Sequence, residues 1–275
     1  MADIKDYKWK QNNTNVKQFG EVYTPDNIVN DMLNLVDEKL FPPIPLYSRR
    51  TYRYKWEHEE YIKKTILEPS CGDGQFLIRI LYRKMEHIVK PSKADNEWKI
   101  RQLLIALSTI YGVDIQEDKV IKARERMYHL AIGDTIKTFG AKDGKNDVQI
   151  NIGIDFTDQI KDVIRYILET NIIVGNTLTG YVKNEDELKN LTDEEKEQYR
   201  LYLREFSFYG TTNNNGVKMK DFWLQPTGLS KDPDRTYNTV EWFSIRDARC
   251  KEEELTEEQK AHSKQLDEDI ENYSF

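Results

Sequence analysis

The sequence has little of what a disulfide-stapled, metal-binding or membrane protein needs. Two cysteines in 275 residues are too few for the disulfide framework of a small secreted scaffold. Four histidines, at positions 58, 87, 129 and 262, show no zinc-site spacing. Apolar runs are far shorter than the roughly 20 residues that cross a bilayer, and no secretory signal is visible at the N-terminus. We therefore expect a cytoplasmic protein without a metal or a membrane partner.

Charge is distributed unevenly along the chain. The 41 basic and 48 acidic residues give a net charge of −7, and residues 251–275, with three basic and nine acidic side chains, carry −6 of it. A basic region instead interleaves its cations with tyrosine and tryptophan, at Arg49, Arg50, Arg53 and Lys55. This mixture suits phosphate contact and base stacking, although a solvated loop with locally packed aromatic residues is the alternative.

The pattern of the chain predicts a central domain with a segment at each end. Residues 1–18 are polar and predict a flexible arm, residues 19–250 predict the domain, and residues 251–275 predict an acidic tail. Within the domain we expect an insertion near 41–60 and a charged helix near 184–206. The tail has a capping box that predicts a solvated helix; mimicry of DNA charge or docking on a basic partner are the alternatives.

Hydrophobic periodicity predicts alternating strands and helices. We expect short strands at 65–68, 110–114, 148–154 and 171–174, and helices at 76–85, 98–109, 117–130 and 158–168. An earlier helix, opened by Thr24-Pro25, has a predicted buried stripe of Ile28, Met32, Leu35, Val36 and Leu40. This order predicts an α/β fold with a parallel sheet covered by helices.

The strongest functional signal is the segment Glu68-Pro69-Ser70-Cys71-Gly72-Asp73-Gly74-Gln75-Phe76. A buried strand ends at a carboxylate, and two glycines separated by one residue then open a helix. A glycine turn at the carboxyl edge of a parallel sheet allows a ligand to approach the backbone. A dinucleotide site would have a third glycine where Leu77 stands, and an acid before the turn disfavours pyrophosphate. The segment therefore favours a cationic ligand, such as a sulfonium or aminoacyl group.

A second carboxylate follows the next strand, in the segment Tyr111-Gly112-Val113-Asp114-Ile115. At the tip of a neighbouring parallel strand, Asp114 is suited to bind the two hydroxyls of a ribose. The alternative role is that of an N-cap that opens the helix predicted from Glu117. The two roles are compatible with each other.

Together these segments resemble motifs of the S-adenosylmethionine-dependent DNA adenine-N6 methyltransferases of restriction–modification systems. Residues 68–77 resemble motif I, residues 112–115 resemble motif II, and residues 171–178 resemble the later Asn-Ile-x-x-Gly-(Asp/Asn)-x-Leu strand. Residues 19–25 resemble the N-terminal Gly-x-x-x-Thr-Pro motif, so the similarity covers about residues 16–180. It implies a class I methyltransferase, with a doubly wound, mostly parallel, seven-stranded-type sheet and helices on both faces.

The resemblance also implies ligands and roles. S-adenosyl-L-methionine is the implied cofactor and DNA the implied partner, with room for a companion specificity or recognition subunit. The implied cofactor-binding residues are Tyr23, Thr24, Pro25, Glu68, Pro69, Cys71, Gly72, Asp73, Gly74, Phe76, Asp114, Ile115, Asn176 and Leu178. Glu68 and the glycine turn would hold the methionine moiety, Asp114 the ribose and Asn176 the adenine. Target DNA would meet residues 47–64 and a loop near 210–216.

The catalytic Asn-Pro-Pro-aromatic motif of that family is missing. In the family, the asparagine side chain and a backbone carbonyl accept the two hydrogens of the adenine amine, while the aromatic residue stacks on the flipped base. Residues 175–180 allow three interpretations: an adenine-contacting strand end with the catalytic segment lost, a degenerate loop in which Asn176 is catalytic, or a turn without a ligand. The sequence thus predicts an adenine-N6 methyltransferase, a non-catalytic cofactor-binding subunit or regulator, or a methyltransferase acting on RNA or protein.

Overall fold

The computed structural model describes residues 24–40, 58–89, 94–136, 147–211, 214–250 and 255–272. Several expectations fall outside these stretches: the arm at 1–18, Tyr23, most of the insertion near 41–60, and the basic residues Arg49, Arg50, Arg53 and Lys55. The described residues form a mixed α/β structure with one parallel and one antiparallel sheet.

A three-stranded parallel sheet lies at the centre of the first half of the chain. Its strands are β1 (Ile66–Glu68), β2 (Ile110–Asp114) and β3 (Ile172–Val174), in the order β1-β2-β3. All five residues of β2 are buried, as expected of a strand that helices cover. Glu68 pairs with Gly112, and Asp114 pairs with Val174. The carboxyl ends of the three strands therefore meet at one edge.

Helices connect and cover these strands. They are α1 (Asp26–Leu40), α2 (Gln75–Val89), α3 (Asn96–Ser108), α4 (Glu117–Ala131) and α5 (Asp158–Asn171). Helix α2 packs against α4 and α3 packs against α5, and all four contact β2. The predicted strands at 65–68, 110–114 and 171–174 and these connecting helices are confirmed within a few residues at each end.

A separate antiparallel sheet follows in the second half of the chain. It contains β4 (Tyr202–Thr211), β5 (Asn214–Gln225), β6 (Gly228–Leu229) and β7 (Arg235–Thr236). The remaining elements are the short helices α6 (Glu185–Leu188) and α7 (Asp193–Glu197), a 3-10 helix at Trp242–Asp247, and α8 (Glu257–Asn272). Strand β4 contacts α3 and α5, which places the second sheet against the helical layer.

The structure corrects three expectations about secondary structure. Residues 148–154 form no strand, because only Val148 pairs, in an isolated bridge with Ile136. The helix expected near 184–206 is divided into α6, α7 and the start of β4, since residues 202–211 pair with β5 along their whole length. The same hairpin includes residues 210 and 214–216, which were expected to be a loop. Long-range pairing thus overrides the local helical pattern.

The described strands are divided between two sheets, three parallel and four antiparallel, and do not form a single doubly wound sheet of seven. The two sheets are nevertheless joined, since the hydroxyl of Tyr111 on β2 donates to the carbonyl of Arg204 on β4 at 2.8 Å.

The acidic C-terminal helix α8 docks on the second sheet. Its Ser263 and Leu266 are buried, and the Ser263 hydroxyl accepts from the backbone N–H of Thr239 at 2.9 Å. Asp267 accepts from the Thr239 hydroxyl at 2.7 Å and pairs with Lys218 of β5 at 2.8 Å. The expected capping box at Thr256 is present, but the expected free, solvated helix is not.

Helix α1 buries a different face from the one that the sequence pattern predicts. It buries Val29 and Leu33, whereas the predicted residues Ile28, Met32, Leu35 and Val36 are exposed; the side chain of Leu40 lies outside the described ones. This difference follows from Asp26, which is buried and accepts two hydrogen bonds of 2.5 Å from the guanidinium of Arg79 on α2. This bidentate pair fixes the beginning of α1, and with it Thr24, against α2.

Replacing Arg79 by methionine is expected to lower the free energy of unfolding by about 3 kcal/mol, because it leaves the buried carboxylate of Asp26 without its cation. Urea denaturation followed by circular dichroism measures the loss. Arg165→Met serves as the control; it removes an exposed arginine of α5 that donates to the Tyr128 hydroxyl, with an expected change of about 1 kcal/mol or less. Equal stability of the two variants would contradict a structural role for the Asp26–Arg79 pair.

Candidate functional site

A cavity of about 670 Å³ opens at the carboxyl ends of β1, β2 and β3, and we call it the strand-end cavity. Its volume lies in the range typical of small-molecule sites. The predicted residues that line it are Thr24, Glu68, Pro69, Cys71, Gly72, Asp73, Phe76, Asp114, Ile115, Asn176 and Leu178. Predicted residues from four separate segments of the chain are therefore brought together in one place.

Two of the predicted cofactor-binding residues in the described stretches do not line the strand-end cavity. Pro25 is buried next to the start of α1. Gly74 has a φ of +87°, and a Cβ there would lie 3.0 Å from the Cβ of Ala123 on α4. Gly74 is thus needed for the close packing of the turn on α4 rather than for ligand contact.

Asp114 joins the turns that follow β1 and β2. One oxygen of its buried carboxylate accepts from the backbone N–H of Gly72 at 2.9 Å, and the other accepts from the N–H of Gln116 at 3.0 Å. Gln116 is the residue that precedes α4, so Asp114 does not cap the first turn of that helix as the alternative interpretation required. Each oxygen keeps a second lone pair and Asp114 lines the cavity, so its carboxylate is able to accept from a hydroxyl there.

Asp73, which the resemblance placed at the cofactor, is neutralised by the protein itself. Its carboxylate forms ion pairs with Arg126 at 3.1 Å and with Lys122 at 3.0 Å, both on α4. Arg126 also donates to the Asp73 carbonyl at 2.7 Å. Two basic residues four apart on one helix face are thus directed at the turn after β1. The charge of Asp73 therefore holds this turn on α4 and contributes little field to the cavity.

Glu68 is a lining carboxylate that has no cationic partner among the residues that the structure describes. It is partly buried at the end of β1, and its described hydrogen-bond donor is the backbone N–H of Ser70 at 3.4 Å. Burial raises the pKa of Glu68, and the hydrogen bond from Ser70 opposes that rise. Within the described stretches no basic side chain forms an ion pair with it. A cationic group in the strand-end cavity would therefore meet an unpaired carboxylate.

Cys71 is a packed residue of the cavity wall rather than a nucleophile. Burial and the neighbouring charges of Asp114 and Glu68 raise the pKa of its thiol far above the ordinary value, so the thiolate is not populated at neutral pH. Opposite it, a Cβ on Gly112 would lie 3.2 Å from the Cys71 sulfur and 2.7 Å from the Leu77 side chain. The small residue at 112 lets Cys71 pack tightly onto β2.

The segment after β3 folds into a closed turn around Asn176. Its backbone N–H donates to the Tyr181 carbonyl at 2.9 Å, and its carbonyl accepts from the Gly180 N–H at 2.8 Å. The Asn176 side-chain oxygen accepts from the backbone N–H of Leu178 at 2.9 Å. Leu178 itself is 82% exposed at the mouth of the cavity. Asn176 is thus both a turn residue and a lining residue.

Two further contacts hold this turn in place. The hydroxyl of Thr177 donates to the carbonyl of Pro69 at 3.2 Å, which spans the cavity from the β3 side to the β1 side. The indole N–H of Trp223 on β5 donates to the Gly180 carbonyl at 2.9 Å. Trp223 is half-buried and anchors the turn to the second sheet.

The sequence prediction missed several lining residues: Ser70, Gln75, Gln116, Lys119, Gly175 and Thr177. Ser70, Gln116, Gly175 and Thr177 lie within three positions of a predicted strand end, so the rule that ligands bind at the carboxyl ends of parallel strands would have included them. Gln75 and Lys119 lie farther along, on the helices that follow β1 and β2. Lys119 on α4 is the lining cation and is buried with its own interactions. No such rule identifies the Asp26–Arg79 pair behind Thr24.

The side chains of the cavity are better suited to bind and orient a ligand than to transfer protons. Phe76, Ile115 and Leu178 supply apolar surface, Glu68 supplies a negative charge, and the buried thiol of Cys71 is inert. Over the described ranges, no three His, Cys, Asp or Glu side chains are grouped to hold a metal ion, and none of the helices is long and apolar enough to span a bilayer. No known protein family, curated protein or solved structure matches the chain.

Native Cys71 is expected to react with an alkylating reagent at pH 8 at least about 100-fold more slowly than in guanidinium chloride, because the buried thiol must be exposed before it can ionise. Peptide mass spectrometry after timed exposure measures its labelling. Ser70→Cys, which introduces an exposed thiol into the same turn, is expected to react at the rate of an ordinary cysteine. Rapid labelling of Cys71 in the folded protein would show an activated thiol instead.

Proposed function

We propose that the chain binds S-adenosyl-L-methionine in the strand-end cavity and transfers its methyl group to the N6 amine of adenine in DNA. One observation carries the proposal: Glu68, Asp114 and Asn176, from three different strand ends, line one cavity of about 670 Å³. The protein would be a cytoplasmic methyltransferase, in which the parallel strands form the cofactor half of the fold and the antiparallel sheet completes it.

The electrostatics of the cavity favour a ligand with a cationic end. Among the described residues Glu68 has no cationic partner, whereas Asp73 is neutralised by Arg126 and Lys122. A charge-assisted hydrogen bond from an ammonium group to Glu68 would contribute about 1.5–3 kcal/mol. A pyrophosphate would instead meet a carboxylate, which argues against a dinucleotide.

The other side chains of the cavity suit a nucleoside. Asp114 retains lone pairs for the hydroxyls of a ribose after it has accepted from Gly72 and Gln116. Ile115 is 55% exposed and Leu178 is 82% exposed, and both line the cavity. Binding of a flat, apolar ring would cover such side chains and recover part of the cost of their exposure.

Catalysis would need positioning more than proton transfer. When bound, S-adenosyl-L-methionine supplies a methyl group on a sulfonium that leaves as a neutral thioether. The protein's part is to hold the acceptor nitrogen in line with that methyl group and to exclude water, which accounts for much of the rate in such reactions. The fixed turn at Asn176 and the contact between Thr177 and Pro69 provide a rigid wall for this purpose.

A second candidate function is binding of the same cofactor without catalysis, as a subunit or a regulator. The observation that favours it is the hydrogen bond from the Leu178 N–H to the side-chain oxygen of Asn176. This contact occupies one lone pair of the oxygen that would have to accept from the target amine. The Asn-Pro-Pro-aromatic sequence is also absent from the chain.

Calorimetry with S-adenosyl-L-methionine, followed by transfer of labelled methyl to mixed-sequence DNA, tests the proposal. We expect micromolar binding and labelled DNA, and we expect Asp114→Ala to abolish binding because it releases the turn at Gly72. Asp118→Ala, which removes an exposed carboxylate four residues away on α4, should bind normally.

The other results of this experiment separate the alternatives. Binding without transfer to any substrate would favour the non-catalytic function. Labelling of RNA or protein but not of DNA would move the proposal to another substrate class. Absence of binding would overturn it.

Glu68→Gln is expected to weaken binding of the cofactor at least about tenfold, because a neutral amide cannot form a charge-assisted hydrogen bond. The variant should be no less stable than the wild type at pH 7. The pKa of Glu68 is raised, so its favourable contribution to folding is present at low pH and is lost as the pH rises through that pKa.

Calorimetry and thermal unfolding from pH 4 to pH 8 measure both effects. Wild-type affinity should fall as the pH is lowered through the raised pKa of Glu68, and the affinity of the glutamine variant should not. Glu117→Gln, at an exposed position on α4, is the matched control. Unchanged affinity in Glu68→Gln would remove this residue from the site.

A further inference from the structure

We infer that Asn176 is a hydrogen-bond donor toward the base of the bound nucleoside, and that it selects for an unprotonated ring nitrogen rather than for the exocyclic amine. This inference rests on the proposed function, since it requires a nucleoside in the strand-end cavity. The family resemblance implies the opposite direction of hydrogen bonding, in which the residue at this position accepts from the adenine amine.

The orientation of the Asn176 amide follows from its contact with Leu178. A backbone N–H can only donate, so the side-chain atom that lies 2.9 Å from the Leu178 nitrogen must be the oxygen. The NH₂ group is consequently the free end of the side chain. Within the described part of the chain it has no hydrogen-bond acceptor, and Asn176 lines the cavity.

The turn does not allow the amide to flip without loss. Its backbone is closed by the bonds from Asn176 to Tyr181 and from Gly180 to Asn176, and Trp223 holds Gly180 from outside. A flipped amide would direct its NH₂ group at the Leu178 N–H, so two donors would face each other and the oxygen bond would be lost. That loss corresponds to a change of about fivefold in the equilibrium between the two amide orientations.

The residue at position 178 determines which end of the Asn176 amide remains available to a ligand. In an Asn-Pro-Pro sequence the residue two positions after the asparagine is proline, which has no N–H, so the asparagine oxygen stays available to an incoming amine. Here Leu178 supplies an N–H that takes one lone pair of the oxygen and fixes the oxygen on the side of the turn. The hydrogens of the amide remain, and they match the ring nitrogens of a purine, which are acceptors.

The test uses two ligands and two variants. The ligands are S-adenosylhomocysteine and its analogue in which adenine is replaced by purine, which lacks the amine but keeps the ring nitrogens. Asn176→Asp keeps an oxygen for the Leu178 N–H and removes both amide hydrogens. Asn176→Ser removes the amide NH₂ without adding a charge, and its hydroxyl lies one bond closer to the backbone. Asn190→Asp, at an exposed position outside the cavity, is the control, and thermal unfolding verifies that each protein is folded.

We expect the wild type to bind the two ligands within about threefold of each other, and Asn176→Ser to weaken both by about fivefold, the equivalent of one neutral hydrogen bond. Asn176→Asp should weaken both further, because its carboxylate would face an acceptor. Tenfold weaker wild-type binding of the purine analogue, or unchanged or tighter binding of S-adenosylhomocysteine by Asn176→Asp, would overturn the inference. If the wild type binds neither ligand, the proposed function itself fails.

Discussion

The geometry of the site depends on one carboxylate that accepts two backbone hydrogen bonds. Asp114 holds the N–H of Gly72 in the turn after β1 and the N–H of Gln116 in the turn after its own strand. Backbone bonds from Cys71 to Val113 and from Gly175 to Asp114 continue the sheet ladder on both sides. The three strand ends are therefore joined to each other before any ligand binds. The entropic cost of ordering these turns is incurred during folding rather than during binding.

Glu68 at the end of β1 and Asp73 in the turn that follows have different roles. Asp73 is held between Arg126 and Lys122 of α4, so its charge stabilises the position of the turn. Glu68, five residues earlier, has no such partner among the described residues and has a raised pKa because it is partly buried. A protein gains no stability from a carboxylate in that situation. Its presence at a strand end is best explained by the cationic ligand that we propose.

The sequence predicted the parallel sheet and most of the cavity, because these depend on local patterns. The strands at Ile66–Glu68, Ile110–Asp114 and Ile172–Val174 are short apolar runs that end at polar or glycine residues. What it did not predict depends on contacts between distant residues. The pair of Asp26 and Arg79, which are 53 positions apart, determines which face of α1 is buried. The start of β4 has a helical sequence pattern but forms a strand, because it pairs with β5. The orientation of the Asn176 amide depends on a backbone N–H, which no side-chain pattern reveals.

Helix α8 supports the wall of the strand-end cavity indirectly, through β5. Asp267 of α8 pairs with Lys218 of β5, and the same strand carries Trp223, whose indole holds the turn at Gly180. Loss of this helix by proteolysis would expose Lys218 on β5 and, outside that strand, Thr239. Lys218 and Trp223 are five positions apart on one strand, so the loss of α8 would remove support from the cavity wall near Gly180.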